Sequence, residues 1–162
     1  MVCIEIEHTE IIKIETPEGD VNRWTGESRS PGMSTGQLIK GRNKRSIILD
    51  LKVKKVRKVF EKLIQTADVF VHNIRPKAAK RLAIDYETIA ELNPSIIYAS
   101  ATGFGETGPF ADKPAYDDLI QGASGIASLF GKVTGTPRYV PSVMADKTTG
   151  LFLSNYISMA LF

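Results

Sequence analysis

In the stretch VPSVMADKTTGLF, Val140 to Phe152, one acidic residue closes an apolar run. Asp146 is followed by Lys147, Thr148, Thr149 and Gly150, and then by a second apolar run. A carboxylate in that place can accept amide protons as a helix N-cap. It can also do chemistry, because helix amides and the helix dipole hold a carboxylate ionised and ready to act as a nucleophile. The small neighbours Ala145, Thr148 and Gly150 leave room for a substrate carbonyl. The pattern alone leaves both roles open.

A second candidate is HNIRPKAAKR, from His72 to Arg81. It follows the apolar run DVFV, at the carboxyl end of an expected parallel strand, where open α/β sheets place their ligands. Asn73 offers an amide, and Arg75 and Arg81 offer guanidinium forks suited to phosphate. The bland alternative is a strand end with solubilising charges. The glycine loop GFGETGP, Gly103 to Pro109, lacks the third glycine of a dinucleotide fingerprint and reads as a contact loop or a plain turn. Lys52, Lys54, Lys55, Arg57, Lys58 and Lys62 form a basic run without interleaved aromatics, which favours a solvated helix face over a nucleic-acid surface.

The elements that must position these residues alternate between strand and helix. Glu10 to Glu15 and Arg45 to Lys52 read as strands, with a long loop of Gly, Ser, Arg and Pro from Val21 to Gly41 between them. Val53, Val56, Val59, Phe60, Leu63 and Ile64 recur at helical spacing. A strand then ends where Pro76 forbids its continuation. Short helices are expected over Lys77 to Leu82 and Tyr86 to Leu92, the second stopped by Asn93-Pro94. SIIYAS is a further strand, Tyr116 to Phe130 reads as one helix, and a last helix runs from about Asp146 to the end.

Composition narrows the class. The chain has 162 residues and a net charge of +3, with 43% hydrophobic and 24% charged residues, as expected of a globular domain rather than a disordered chain. One cysteine excludes an internal disulfide framework, and a count of only two histidines argues against a zinc site. No apolar stretch reaches membrane-spanning length, and the acidic, alternating start is not a signal peptide. A reducing cytoplasm is the expected compartment. The final segment lacks a stop signal and the first strand lacks a preceding βα unit, so the expectation is a fragment.

The blocks IIKIETPEGD, NKRSIILDLK, ADVFVHNIRP, LNPSIIYASATGFGETGP, KPAYDDLIQGASG and VPSVMADKTTG occur in one order. In that order they resemble the class III coenzyme A transferases, the family of formyl-CoA transferase and carnitine CoA-transferase. The resemblance implies a Rossmann-like, open, mainly parallel sheet with helices on both faces. Residues 10–162 would form part of the large domain, after an atypical segment of residues 1–9. It also implies transfer of CoA from an acyl-CoA donor to a carboxylic acid, with Asp146 as the nucleophile that passes through an anhydride and an aspartyl-CoA thioester.

Carried over by position, the CoA contacts are Leu49, Lys52, Asn73, Ile74, Arg75 and Arg81, with Tyr116 and Asp117 near the acyl or pantetheine end. The CoA thioester is a substrate, and no permanently bound cofactor is expected. The expected partners are the acyl-CoA and acid substrates and a second, interlocked copy of the chain, with neither nucleic acid nor membrane. Two departures from the family pattern are the missing opening βα unit and Thr16, where formyl-CoA transferases often carry an arginine. Exposed apolar surface at both ends predicts poor solubility. The related acyl-CoA racemases use histidine where this chain has Tyr116, and tyrosine is a poor acid/base at neutral pH. A non-catalytic nucleotide- or polyanion-binding fragment is the remaining alternative.

Overall fold

The computed structural model describes residues 9–162, so most of the atypical segment 1–9 lies outside the described residues. The chain divides into two compact units that meet between Ala67 and Asp68.

In the first unit, β1 (Ile11–Glu15) pairs in parallel with β2 (Lys44–Ile48), Ile11 opposite Lys44 and Glu15 opposite Ile48. Both strands sit where β-branched residues cluster. The connection expected to be a long loop contains a short 3-10 turn, Val21–Arg23, and the helix α1 (Thr35–Lys40). Helical periodicity missed both because each is held by a local cap instead of an apolar stripe. The Asp20 side chain accepts from the Asn22 amide, and the Ser34 side chain accepts from that of Gln37.

A buried carboxylate ties this connection to the strands. The Glu15 side chain is 1% exposed. Arg23 donates to it from Nε at 2.6 Å and from Nη2 at 2.7 Å. The Ser46 hydroxyl and the Asp20 amide complete its shell, and Lys13 Nζ lies 3.6 Å away. The Arg23 fork pulls the Glu15 pKa down; burial opposes it, Ser46, Asp20 and Lys13 reinforce it, and the result is about 2.

Helix α2 (Lys54–Thr66) follows β2 and buries Phe60 and Ile64. Its Arg57 pairs with Glu61 one turn on, and the Arg57 guanidinium lies 5.0 Å from the Phe60 ring centroid. Such pairing is what a solvated amphipathic face does with its charges.

The second unit is a βαβ arrangement followed by three helices. β3 (Val69–His72) pairs in parallel with β4 (Ile97–Ser100), Val69 opposite Ile97 and His72 opposite Ser100. The crossover is made by α3 (Pro76–Arg81) and α4 (Tyr86–Leu92). Pro76 occupies the first turn of α3, where its missing N–H costs nothing. Asp85 caps α4 by accepting from the Thr88 amide, and Asn93-Pro94 ends it. Ala79, Ile84, Ile89, Ile96 and Ala99 are buried here.

The helix expected over Tyr116 to Phe130 is two helices, α5 (Asp117–Ala123) and α6 (Ile126–Thr134). Gly125, with φ +84°, adopts a left-handed conformation between them that breaks the helix and that a side chain would strain. Helix α7 (Met144–Leu161) packs against α5 and β4 and buries Gly150 and Ile157. Among the described residues no helix is long and apolar enough to cross a membrane.

The Glu15 shell generates a pH dependence. A carboxylate with a depressed folded-state pKa contributes stability that is fully present above its ordinary value of 4.5. That contribution, roughly 3 kcal/mol, is lost as the pH falls toward about 2. Arg23→Ala leaves the carboxylate buried without its fork and is expected to cost about 3 kcal/mol at neutral pH. It should also flatten the acid limb. Urea titrations of both proteins between pH 7 and pH 2 measure the two effects.

Candidate active site

The start of α7 holds the residue singled out in the sequence. The helix begins at Met144, so Asp146 is not the N-cap and lies within the first turn. Val143 stands at the cap position and makes no side-chain capping bond. Each helix start leaves amide protons without an intrahelical partner. Here the acceptor comes from another helix. The Asp146 amide donates to Asp117 Oδ1 at 2.9 Å, while the Met144 amide donates to the Ser142 carbonyl at 2.8 Å. Burial pushes the Asp117 pKa up, but the Asp146 amide, the Gln121 side chain and the amides of Ala145 and Met144 outweigh it. Together they hold Asp117 below its ordinary value.

This division of roles corrects the capping expectation for Asp146. Its own half-buried carboxylate accepts no hydrogen bond and joins no ion pair among the described residues. A cap consumes a carboxylate by pointing its oxygens at amides. Because Asp117 performs that task, the Asp146 oxygens are left uncommitted at the positive end of a helix of 18 residues.

Around this point Tyr116 is 71% exposed, precedes α5 and makes no capping bond. Gly103, in the loop after β4, allows a close approach. A Cβ at that position would lie 1.9 Å from Ala115 Cβ, so the loop can seat against the residue before Tyr116 only as glycine.

The second sequence candidate lies at the carboxyl end of β3. Asn73, Ile74 and Arg75 form one turn leading into α3, with Asn73 and Arg75 exposed and Ile74 half-buried. Arg75 Nη1 donates to the Asp112 carbonyl at 3.2 Å, and Arg81 is exposed at the last turn of α3. The preceding residue shapes this turn. His72 Nδ1 accepts from the Ile74 amide at 3.1 Å, and His72 Nε2 lies 2.6 Å from the Tyr98 hydroxyl. Tyr98 in turn donates to the Ile84 carbonyl at 2.9 Å.

The proton assignment along this chain follows from its ends. Ile74 N–H can only donate, so Nδ1 is unprotonated. The Ile84 carbonyl can only accept, so the Tyr98 hydroxyl donates to it and its oxygen accepts a hydrogen bond from Nε2–H. Burial, helped by the charges of Glu106, Asp85 and Glu87, pushes the Tyr98 pKa up to about 12, in keeping with that role. Burial also lowers the His72 pKa.

Leu49 and Lys52 belong to the other unit, just beyond the carboxyl end of β2. Leu49 is buried and its amide donates to the Glu15 carbonyl at 2.9 Å. Lys52 is exposed in the turn that follows, its amide bonded to Asp50 Oδ1 at 3.0 Å. The structure therefore joins Asp117 to Asp146 directly and keeps Asn73, Ile74 and Arg75 in one turn. Among the described residues no group of three His, Cys, Asp or Glu could hold a metal ion.

Sequence reasoning missed Gln121 and His72. Gln121 is 2% exposed and donates from Nε2 to Asp117 Oδ2 at 2.5 Å. The signal was present: Asp117 and Gln121 stand four apart on one helix, a spacing that brings side chains together. His72 carried no comparable signal, because its partner Tyr98 comes from the neighbouring strand.

Comparison with known proteins assigns the family. The chain matches the model of CoA-transferase family III over residues 9–162. It is 37% identical over 162 residues to the succinate–glutarate CoA-transferase of Agrobacterium fabrum, with 94% of this chain and 40% of that protein covered. It is 36% identical over 145 residues to the formyl-CoA:oxalate CoA-transferase of Escherichia coli, covering 89% of this chain and 35% of that protein. Among solved structures, a CAIB/BAIF family protein from Brucella suis superposes with a TM-score of 0.86 at 35% identity. It covers 94% of this chain and 41% of that one. The chain belongs to CoA-transferase family III and spans about 40% of the length of the curated relatives it matches.

The His72 chain yields a measurable state. A histidine with a depressed folded-state pKa contributes stability that is fully present above its ordinary value of 6.5 and is lost as the pH falls through the lowered one. Imidazole 15N shifts should report a neutral ring protonated at Nε2 at pH 6.5. Below its titration, the Ile74 amide should lose its acceptor and exchange faster with solvent. A ring protonated at Nδ1 at pH 6.5 contradicts the assignment.

Proposed function

We propose that this chain is the nucleophile-bearing part of a CoA-transferase that moves CoA from an acyl-CoA donor to a carboxylic acid acceptor. The observation that carries this reading is the start of α7. The residue matching the family nucleophile sits in the first helical turn, and a different carboxylate, Asp117, accepts from its amide, while its own carboxylate accepts no hydrogen bond among the described residues. Family membership over residues 9–162 supplies the reaction class.

In the proposed sequence an Asp146 oxygen attacks the thioester carbonyl of the donor. The C–S bond breaks, a mixed anhydride forms, and CoA leaves as thiolate. The thiolate attacks the aspartyl carbonyl, expels the donor's carboxylate and leaves an aspartyl-CoA thioester. The acceptor carboxylate attacks that thioester, again releasing thiolate and forming a second anhydride. Attack of the thiolate on the acceptor's acyl carbonyl then gives the new acyl-CoA and restores Asp146. No group is oxidised or reduced, and each activated acyl group stays bound.

CoA in this reading is held by the residues that match the family's contacts. Arg75 and Arg81 suit its phosphates, and Lys52 adds a further positive charge. Leu49, Asn73 and Ile74 line the strand-end turns, and Tyr116 lies toward the acyl end with Asp117 beside it. The relatives named above differ in the acids they are named for and agree on CoA passing between them, so the proposed substrates are an acyl-CoA and a carboxylic acid. The same reading takes residues 10–162 as part of a Rossmann-like large domain, working in the cytoplasm in an interlocked homodimer with no permanently bound cofactor.

Incubation with succinyl-CoA, followed by mass spectrometry of peptides containing residues 140–152, tests the assignment. The expected result is a CoA thioester on Asp146, with the rate of adduct formation falling at least about a thousandfold in Asp146→Ala. An adduct on another residue, or none on a wild-type chain that binds CoA, overturns the reading.

A further inference from the structure

The side chain of Gln121 makes contacts that capping alone does not require. Besides its bond to Asp117, Nε2 donates to the Ser142 carbonyl at 3.2 Å and lies 3.5 Å from that of Val140. Its Oε1 accepts from the Val140 amide at 2.8 Å. One buried amide thus grips both the segment that enters α7 and the carboxylate that caps α7.

The chemistry of the site admits little but an amide. Three acceptors face one end of the side chain: Asp117 Oδ2 and the carbonyls of Val140 and Ser142. A donor, the Val140 N–H, faces the other. Glutamate would point an acceptor or a charge at those acceptors, and an apolar side chain would remove the bond to Asp117 Oδ2 and leave the Val140 N–H without its acceptor. The position of Asp146 depends on both halves of this grip. The Val140–Ser142 segment fixes where the chain enters the helix. Asp117, held at Oδ2 by Gln121, fixes the Asp146 amide through Oδ1.

We propose that Gln121 is a positioning residue for Asp146, locking the first turn of α7 so that the carboxylate meets a substrate carbonyl in one geometry. The catalytic half of this inference rests on the reading of Asp146 as nucleophile; the structural half does not. Displacement of a nucleophile by about 1 Å can cost about a hundredfold in rate without weakening binding of the rest of the substrate.

Gln121→Met keeps length and volume while removing every polar contact, and Gln121→Glu keeps shape while reversing the donor. Two measurements on the full chain decide the matter. In hydrogen exchange, the amides of residues 144–146 should exchange at least about tenfold faster in Gln121→Met, while those of β3 and β4 keep their protection. In single-turnover labelling with succinyl-CoA, adduct formation should slow by at least about tenfold, with the Kd for CoA changed less than about twofold.

Unchanged exchange at Asp146 overturns the proposal. So does faster exchange accompanied by an unchanged labelling rate. Loss of protection throughout β3 and β4 in both variants marks Gln121 as a general packing residue and also overturns it. Absence of any wild-type adduct strikes the nucleophile assignment instead, while the exchange measurement still decides whether Gln121 holds the helix start.

Discussion

The arrangement of the candidate site depends on one interaction, the hydrogen bond from the Asp146 amide, in the first turn of α7, to the Asp117 carboxylate. A helix start concentrates unpaired N–H groups and partial positive charge, and some acceptor must answer them. If Asp146 answered them itself, its oxygens would be spent. With the acceptor supplied from α5, the same field acts on a carboxylate whose lone pairs are uncommitted. Geometry across two helices thereby separates two tasks that are often performed by one residue.

That separation needs α5 and α7 held in register, and the second unit supplies the means. Gly125 ends the α5–α6 run early, so α5 is a short helix whose first residue is Asp117. Ile157 anchors α7 in the core, and α7 packs on both α5 and β4. At the carboxyl end of β3, the His72–Tyr98–Ile84 chain shapes the turn that carries Asn73, Ile74 and Arg75. Buried polar networks of this kind tolerate few substitutions, because each member lost leaves another unpaired.

The first unit shows a similar economy with different residues. Glu15 at the end of β1 gathers Arg23, Ser46 and the Asp20 amide around one carboxylate, and the Leu49 amide bonds to its carbonyl. A connection with little apolar periodicity is held to a two-stranded ladder by charge and hydrogen bonds. The buried fork explains why this stretch reads as loop from its hydropathy and yet contains ordered turns.

Sequence alone determined a good deal. Apolar spacing marked α2, and proline and asparagine marked the limits of α3 and α4. Branched residues marked all four strands to within a few positions. The ordered blocks pointed to the family, and through it to Asp146. These signals are local, since caps, turns and periodicity act over a few residues. Tertiary structure decided which carboxylate caps α7, where the helix after Tyr116 breaks, and which groups share the protons of His72 and Tyr98. The physical reason is distance along the chain: Asp117 and Asp146 are 29 residues apart, and His72 and Tyr98 are 26 apart. Only folding brings such pairs within hydrogen-bonding reach.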